Sequence, residues 1–339
     1  KDSFNKDVRD LFNRYLSEEN SKLISSIILG KSSYLEDEDL EKYRDLGLAH
    51  ILAVSGLHIG IITSSLIFLF SSLGIHRKTN LIITISITWL YGYLIGYPPS
   101  VLRSLIMFTT LFYSQLYSKY YDNINTLSFA AFILLLYNPL WLFSVGFQLS
   151  FLATFFIITL SSKLREWFYP KHGKLYNLLY GIIAVQIGII MAYYFNNISP
   201  ISIVANFMLI PLMSLVVILG FLLLIVSLIG NIFATLLGEV LGLLLTIVEQ
   251  LSNGIQLLSL GIIKVKSPSI VDILSYYIIV FCIFDIIKIR KYSKYIYENK
   301  AIIYCLMIFV LLFSIMPNLG EEMEIRFIDV GQGDSILIK

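Results

Sequence analysis

Ser55 and His58 stand three residues apart in the segment AVSGLHIG, so both side chains share one face if the segment is helical. A serine and a histidine on one face could act as nucleophile and general base, the chemistry of an intramembrane serine hydrolase. Two other interpretations stay open. The pair could line a wet path, because polar groups within a membrane usually face a bundle interior or a water-filled cavity. It could also bond to neighbouring backbone at a tight helix crossing.

Glycines surround this pair. Gly56 and Gly60 form a GxxxG motif, which lets a second backbone approach closely, and His50 precedes them by one to three turns. No acidic residue or oxyanion-hole motif stands beside Ser55 and His58. The sequence therefore favours a tightly packed, polar path over covalent catalysis, and we assign no catalytic residue.

Three further polar residues lie in or beside apolar runs. Arg103 follows a Pro-Pro pair by one turn, where its guanidinium could hold a phosphate or carboxylate at a cavity mouth, or extend to the membrane interface. Gln148 could bridge helices or line the path. Asn206 shares an apolar run with Pro211, which is expected to kink or break its helix, as in many transport pathways.

The elements that must position these residues are membrane helices. The chain of 339 residues is 57% hydrophobic and 14% charged, whereas a soluble domain holds about a quarter charged residues. The fold class predicted is an all-α polytopic membrane protein with about ten transmembrane helices and a short C-terminal β-hairpin. The crossings are predicted at approximately 50–73, 81–97, 100–118, 124–138, 143–160, 175–195, 200–228, 232–261, 270–288 and 300–316.

Segment 232–261 has two interpretations. Its polar residues recur every three to four positions, so the helix could line a cavity or lie flat in the interface. Charge favours a crossing: if 74–80 is cytoplasmic, the inner loops carry twelve lysines and arginines and the outer loops only Lys264 and Lys266. The positive-inside rule then places both chain ends outside the cytoplasm.

Three regions are expected. Residues 1–47 contain amphipathic helices at the outer membrane surface, one of them between Ser17 as N-cap and Gly30 as C-terminal stop. Residues 48–317 form the transmembrane region. Residues 323–339 alternate apolar and polar side chains around the sequence GQGD, which predicts two strands joined by a tight turn.

Several classes of site are not indicated. The sequence has no Walker A motif and therefore no motif for an ATP-driven motor. Its four histidines show no metal-ligand spacing, so we expect no metal and no cofactor in these residues. Trp89, Tyr93 and Tyr97 share a helical face that could stack bases, although packing and an interfacial aromatic belt explain such a stripe more simply.

Five segments together resemble the ComEC family of DNA-internalisation proteins: GLAHILAVSGLHIG, PPSVLRSLIMF, NPLWLFSVGFQLSFLAT, ANFMLIPL and IRFIDVGQGDSILIK. The resemblance implies a membrane competence domain that passes one DNA strand across the bacterial cytoplasmic membrane. It further implies a DNA receptor and a cytoplasmic helicase as partners. The last segment resembles the first hairpin of the family's metallo-β-lactamase-like domain, whose HxHxDH motif, and with it a divalent metal and nuclease activity, would lie beyond Lys339.

We therefore predict a channel for single-stranded DNA, without enzymatic activity in these residues. The alternatives are a hydrolase using Ser55 and His58 or a small-solute permease, which internal repeats would favour. Oligomeric state stays open. The residues predicted to line the path are His50, Ser55, Gly56, His58, Gly60, Arg103, Gln148 and Asn206.

Overall fold

The computed structural model describes residues 2–52, 54–167, 174–188, 197–199, 201–228, 230–257, 263–264, 269–283, 325–329 and 334–338. This part of the chain is mainly helical. Its α-helices are α1 Asp2–Tyr15, α2 Glu18–Leu29, α3 Asp37–Asp45, α4 Ala49–Leu52, α5 Gly56–Ser72, α6 Arg77–Ile95, α7 Pro99–Leu116, α8 Asn123–Tyr137, α9 Val145–Trp167, α10 Lys174–Gly188, α11 Ile201–Val226, α12 Asn231–Leu257 and α13 Ile270–Ile283.

Four short strands complete the described elements. Strand β1 (Asn197–Ile198) pairs antiparallel with β2 (Ile263–Lys264). Strand β3 (Ile325–Asp329) pairs antiparallel with β4 (Asp334–Ile338). Residues 330–333, on which the predicted turn falls, lie outside the described residues.

Local capping sets the bounds of the first helices. The Ser17 side chain accepts a hydrogen bond from the Asn20 backbone N–H at 3.4 Å, and α2 ends at Gly30 with φ 67°. Such left-handed backbone is easiest for glycine. The predicted N-cap and stop of α2 are both confirmed, whereas α1 was not predicted, because its sequence is strongly polar.

The main core forms where α2 packs against α11 and α12. Ile24 and Ile27 of α2 are fully buried in it. Gly220 of α11 lies against α2 so closely that a Cβ atom there would stand 2.6 Å from Cδ1 of Ile28. Gly238 of α12 lies in the same way against the backbone oxygen of Tyr15. The N-terminal helices are therefore part of the bundle, and their location at the membrane surface stays a prediction.

The sequence predicted one continuous helix over 50–73. That prediction is wrong, because two helices occupy this range. Helix α4 ends at Leu52 and α5 begins at Gly56, with Ser55 as an extended N-cap at φ −117° and ψ 174°. The break is stabilised because the Ser100 hydroxyl donates to the free carbonyl of Val54 at 2.9 Å. His50 and His58 consequently belong to different helices.

Pro211 was expected to kink or break its helix, and the break does not occur. Helix α11 runs from Ile201 to Val226 with Pro211 inside it. Membrane helices tolerate an interior proline where neighbouring helices cover the freed backbone group, and α11 is flanked by α2, α5, α10 and α12. Asn206 and Met213 therefore lie on one continuous helix.

Membrane character follows from helix length and composition. Three described helices are long and apolar enough to cross a bilayer: α9 over Val145–Glu166, α11 and α12. Helices occupy nine of the ten apolar segments predicted as crossings, and the tenth, 300–316, lies outside the described residues. In α12 the face with Leu241, Leu245 and Val248 is buried, while the polar side chains Glu239 and Thr246 are exposed on another face.

Candidate functional site

The start of α5 brings Ser55 and His58 into contact. The Ser55 backbone N–H donates to Nδ1 of His58 at 3.2 Å, and Ser55 Oγ lies 3.0 Å from the same nitrogen. His58 occupies the third position of the helix, where a side chain can reach back to the N-cap backbone. Its imidazole is 1% exposed, and Nε2 has no hydrogen-bond partner among the described residues.

Arg103 reaches Gly56, at the start of α5, from α7. Its side chain is 7% exposed, and Nη2 donates to Oγ of Ser104 at 3.2 Å. The guanidinium carbon lies 5.9 Å from the ring centre of Phe151 on α9, within cation–π distance. Arg103 Nε is buried without a hydrogen-bond partner. None of the ion pairs in the described part of the chain includes Arg103.

Gly56 permits this arrangement. A Cβ atom at Gly56 would overlap Nη2 of Arg103 and stand 2.5 Å from Oγ of Ser104. A guanidinium and a hydroxyl group approach Gly56 closely, whereas the predicted close approach was that of a second backbone. Gly60 differs, because its Cβ would meet Phe108 Cζ at an ordinary 3.6 Å.

His50 and Asn206 form a neighbouring group around Gly47. Nδ1 of His50 lies 3.1 Å from the Gly47 carbonyl oxygen. Asn206 Nδ2 donates to the Ser202 carbonyl at 2.7 Å and reaches the Gly47 carbonyl at 3.5 Å, while its Oδ1 is buried without a partner in the described chain. Gly47 has φ 70° and packs on Ser202. These contacts attach the end of α3 to the start of α11.

A further hydrogen bond at Asp45, outside the membrane helices, joins the end of α3 to the residues before α11. The Ser199 hydroxyl donates to the Asp45 backbone carbonyl at 2.8 Å. Burial raises the pKa of the Asp45 carboxyl, and the nearby charge of Glu41 adds to the increase. The carboxylate thus gains no stabilising cation here, and the contact is made through the backbone.

In the described residues, Gln148 has no hydrogen bond to Arg103. Its Nε2 donates to the Leu142 carbonyl at 2.7 Å, which closes the 3₁₀ turn Pro139–Phe143 onto α9. It lies three residues before Phe151, so the two side chains share a face of α9. The bond is local and does not join two membrane helices, so helix-bridging and lining the path both stay predictions.

Sequence reasoning missed Ser104, Phe151 and the bond that Ser100 makes to the Val54 carbonyl. Ser104 also donates to the Ser100 carbonyl at 3.0 Å, which fixes its hydroxyl beside the guanidinium. The adjacency of Ser104 to Arg103 was visible in the sequence, but serines of membrane helices commonly bond to their own backbone. Phe151 had no distinguishing pattern, because α9 is rich in phenylalanine.

Two residues of the aromatic stripe (Trp89, Tyr93 and Tyr97) pack against their neighbours. Trp89 Nε1 donates to Thr109 Oγ1 at 2.9 Å, which joins α6 to α7. The Tyr97 hydroxyl donates to the Trp89 carbonyl at 3.2 Å, and the two rings meet edge to face with centres 6.0 Å apart. Of the three rings, Tyr93 is the exposed one, at 53%. The packing explanation therefore holds for Trp89 and Tyr97.

The arrangement supports binding better than hydrolysis. A general base must accept the serine proton, but Nδ1 of His58 already accepts from the Ser55 backbone N–H. No carboxylate of the described residues orients Nε2 of His58. Within the same residues, no group of three His, Cys, Asp or Glu side chains has the spacing of a metal site.

Comparison with known proteins identifies the family. A family model described as "Competence protein" matches residues 27–289, which include α3 to α13 and every candidate site residue. The chain belongs to the ComEC family of competence proteins.

Two relatives of the ComEC family extend this finding. ComE operon protein 3 of Bacillus subtilis is 31% identical over 340 residues, which cover 99% of this chain and 43% of that protein. Recombination protein 2 of Haemophilus influenzae is 24% identical over 213 residues, 57% of this chain and 26% of that protein. The chain thus spans less than half the length of these relatives. No solved structure matches it.

Proposed function

We propose that this chain forms the part of a membrane channel through which single-stranded DNA enters a bacterium during natural transformation. Membership of the competence family supports a role in DNA uptake. The whole protein's partners, including a DNA receptor and a cytoplasmic helicase that pulls the emerging strand, belong to this proposal. No catalytic step is assigned to the residues of this chain.

The observation that carries the proposal is the buried Arg103 at the break between α4 and α5. A cation within a membrane protein is costly and usually marks a path for ions or substrates. The guanidinium is fixed beside Gly56 and Ser104 and lacks an ion-pair partner in the described chain. A strand with one negative charge per nucleotide offers phosphates that can occupy such a position.

The membrane helices contain few cationic side chains to attract a polyanion. Helix amino ends supply the additional positive potential. Helices α5 and α7 both begin beside Arg103, at Gly56 and Pro99. The amino end of each helix carries a partial positive charge and free N–H groups that favour anions. A few weak sites of this kind allow a strand to enter and also to leave.

The proposed topology has about ten crossings of the cytoplasmic membrane, with both ends of the chain outside the cytoplasm. The asymmetry of twelve bases against two supports it. The length and apolar composition of α12 support a crossing there. We further propose that β3 and β4 begin a metallo-β-lactamase-like domain of the full-length protein, which is where a divalent metal would act.

DNA uptake in a naturally transformable host that lacks its own relative tests the function. The full-length protein should restore transformation. Arg103→Gln should lower it by roughly 10- to 100-fold, the equivalent of the about 1.5–3 kcal/mol of hydrogen bonds to a charged group. Arg14→Gln, a matched change at an exposed arginine of α1, should have no effect. Normal transformation with Arg103→Gln, at equal protein levels, would remove Arg103 from the path.

A further inference from the structure

A cavity lies where the turn between α5 and α6 meets the end of α7, with a volume of about 650 Å³. Its lining combines polar and apolar side chains and includes Ile67, Ser71, Arg77, Asn80, Leu81 and Gln115. None of these residues was predicted to line the DNA path. The cavity is at the end of α5 opposite to Gly56 and Arg103, so it is a different place from the proposed path.

Hydrogen bonds hold the polar wall of this cavity in place. Asn80 Nδ2 donates to the Ile67 carbonyl and to Ser71 Oγ, both at 3.0 Å, which joins α6 to α5. Because Ser71 Oγ serves as an acceptor here, its own hydroxyl proton stays available, and no hydrogen bond of the described chain uses it. The wall therefore keeps its shape without a ligand and offers a free hydroxyl donor.

Arg77 adds a positive charge to the lining. Its Nη2 donates to Oε1 of Gln115 on α7 at 3.2 Å, and none of the ion pairs in the described part of the chain includes Arg77. The amide of Gln115 is neutral, so it orients the guanidinium without cancelling the charge. A guanidinium has five N–H donors, which leaves several of them for a ligand.

The surrounding sequence provides no carboxylate for this cation. From Leu46 to Tyr121, a range that contains α5, α6 and α7, there is no aspartate or glutamate. The next acid, Asp122, caps α8 by accepting from the Asn125 backbone N–H at 2.7 Å and does not line the cavity. Arg77 is also the first residue of α6, whose amino end favours negative charge. The cavity therefore favours an anion with oxygen acceptors.

The remaining wall is apolar. Ile67 and Leu81 line the cavity. Phe68, the neighbour of Ile67 in the sequence, is 75% exposed, and Leu73 in the following turn is 68% exposed. Such exposed apolar side chains mark contact with a membrane or a partner. A ligand that matches both walls has an oxyanion joined to hydrocarbon.

We propose that this cavity binds the headgroup of an anionic phospholipid, with phosphate oxygens at Arg77 and Ser71 and acyl chains against the apolar side chains of α5. A guanidinium suits this ligand because it can donate two parallel N–H bonds to phosphate oxygens. In the proposed topology the turn lies at the cytoplasmic face, where the leaflet contains anionic lipids. The site itself does not depend on the proposed passage of DNA.

Three substitutions in the full-length protein test the site. Arg77→Gln removes the cation. Gln115→Glu keeps the shape of the side chain but places a carboxylate beside the guanidinium, so the cation gains an internal partner and an anionic ligand is repelled. Lys78→Gln is the matched control, because Lys78 is exposed and adjacent to Arg77 but does not line the cavity.

The measurement is the amount of phosphatidylglycerol that stays bound to each purified protein, determined by mass spectrometry. We expect Arg77→Gln and Gln115→Glu to retain roughly 10- to 100-fold less than wild type, as the loss of hydrogen bonds to a charged group predicts. Lys78→Gln should lose less than about fivefold, the effect of one basic residue near a lipid surface. The melting temperature of each delipidated variant establishes that it is folded.

Added ligands distinguish a lipid from other phosphates. Phosphatidylglycerol should raise the melting temperature of delipidated wild type, because it binds the folded state, whereas zwitterionic phosphatidylcholine should not. If sodium phosphate at the same concentration raises it equally, the cavity holds a free phosphate and the lipid assignment is wrong. If an oligodeoxythymidine raises it through Arg77 and phosphatidylglycerol does not, the cavity belongs to the DNA path and the lipid assignment is wrong.

Two further outcomes would overturn the site as built. Equal losses of phosphatidylglycerol in Arg77→Gln and Lys78→Gln would show attraction by surface charge in general. Wild-type retention in Gln115→Glu would show that the guanidinium does not hold the phosphate. Because the proposed function is tested separately by transformation with Arg103→Gln, either result leaves that function standing.

Discussion

Buried polar side chains lie at both ends of α5. Those at one end are hydrogen-bonded, and nitrogens at the other end have no partner in the described chain. At its end near Ser72, Asn80 donates to the Ile67 carbonyl and to Ser71 Oγ, both at 3.0 Å, and accepts from Thr84 at 3.2 Å. Arg77 donates to Gln115 at 3.2 Å. At the start of α5, Nε2 of His58 and Nε of Arg103 have no partner in the described chain.

This difference distinguishes polar groups that hold the fold together from polar groups that are available to a ligand. Most buried polar groups in native proteins are hydrogen-bonded, and an exception calls for an explanation. A cavity of about 650 Å³ lies at the paired end, next to Asn80 and Arg77. The unpaired donors lie at the other end of the helix, so this cavity and the unsatisfied donors do not coincide. We regard the unsatisfied donors as the better indication of where DNA binds.

Removing a paired group should have the largest effect on stability. Asn80→Ala deletes three hydrogen bonds at a residue that is 3% exposed. We expect the free energy of unfolding to fall by about 1–3 kcal/mol, measured as a lower melting temperature in detergent. DNA binding per folded molecule should not change.

Arg77→Gln is the control for Asn80, because its single bond to Gln115 is exposed. It should change the free energy of unfolding by no more than about 0.5 kcal/mol. A fall in DNA binding by folded Asn80→Ala protein would contradict the division between the two ends of α5.

At the unpaired end, a methyl group on Gly56 should affect function more than stability. Gly56→Ala would displace both Nη2 of Arg103 and the hydroxyl of Ser104. We expect DNA uptake to fall by roughly tenfold, which corresponds to about 1.4 kcal/mol, with folded protein retained. Uptake of labelled DNA and protein abundance are measured together.

Gly60→Ala is the matched change one turn later, where a Cβ has room. It should leave uptake unchanged and stabilise the helix by about 0.5–1 kcal/mol. Equal losses of uptake in Gly56→Ala and Gly60→Ala would show that the glycines act through helix packing and not through Arg103.

The smallest effect is expected for a pair that is neither buried nor unsatisfied. Lys42 and Glu249 approach to 3.9 Å, and the glutamate side chain is 44% exposed. Solvent screening limits such a pair to about 0–1 kcal/mol. A double-mutant cycle with Lys42→Ala and Glu249→Ala, read by thermal unfolding, should give a coupling in this range that decreases with added salt. A larger coupling would show that exposed pairing also holds this bundle together.

Local structure was predictable from the sequence where a single residue determines it. Ser17 and Gly30 bound α2, and nine of the ten apolar segments contain helices. The break before Gly56 was missed because the residues on both sides are apolar and because histidine replaces the glutamate or glutamine of the usual capping motif. The sequence nominated Gly56 and Arg103 in separate motifs. Their contact depends on the packing of α5 against α7, which no local pattern encodes.

The contact of α2 with α11 and α12 has a consequence for how the protein is made. Ile24 and Ile28 are buried against Gly220, which the ribosome adds almost two hundred residues later. Until then Ile24 and Ile28 lack this packing partner. Contacts between residues so distant in sequence form late and slowly. Helix α2 is therefore packed late, after α11 and α12 have been synthesised.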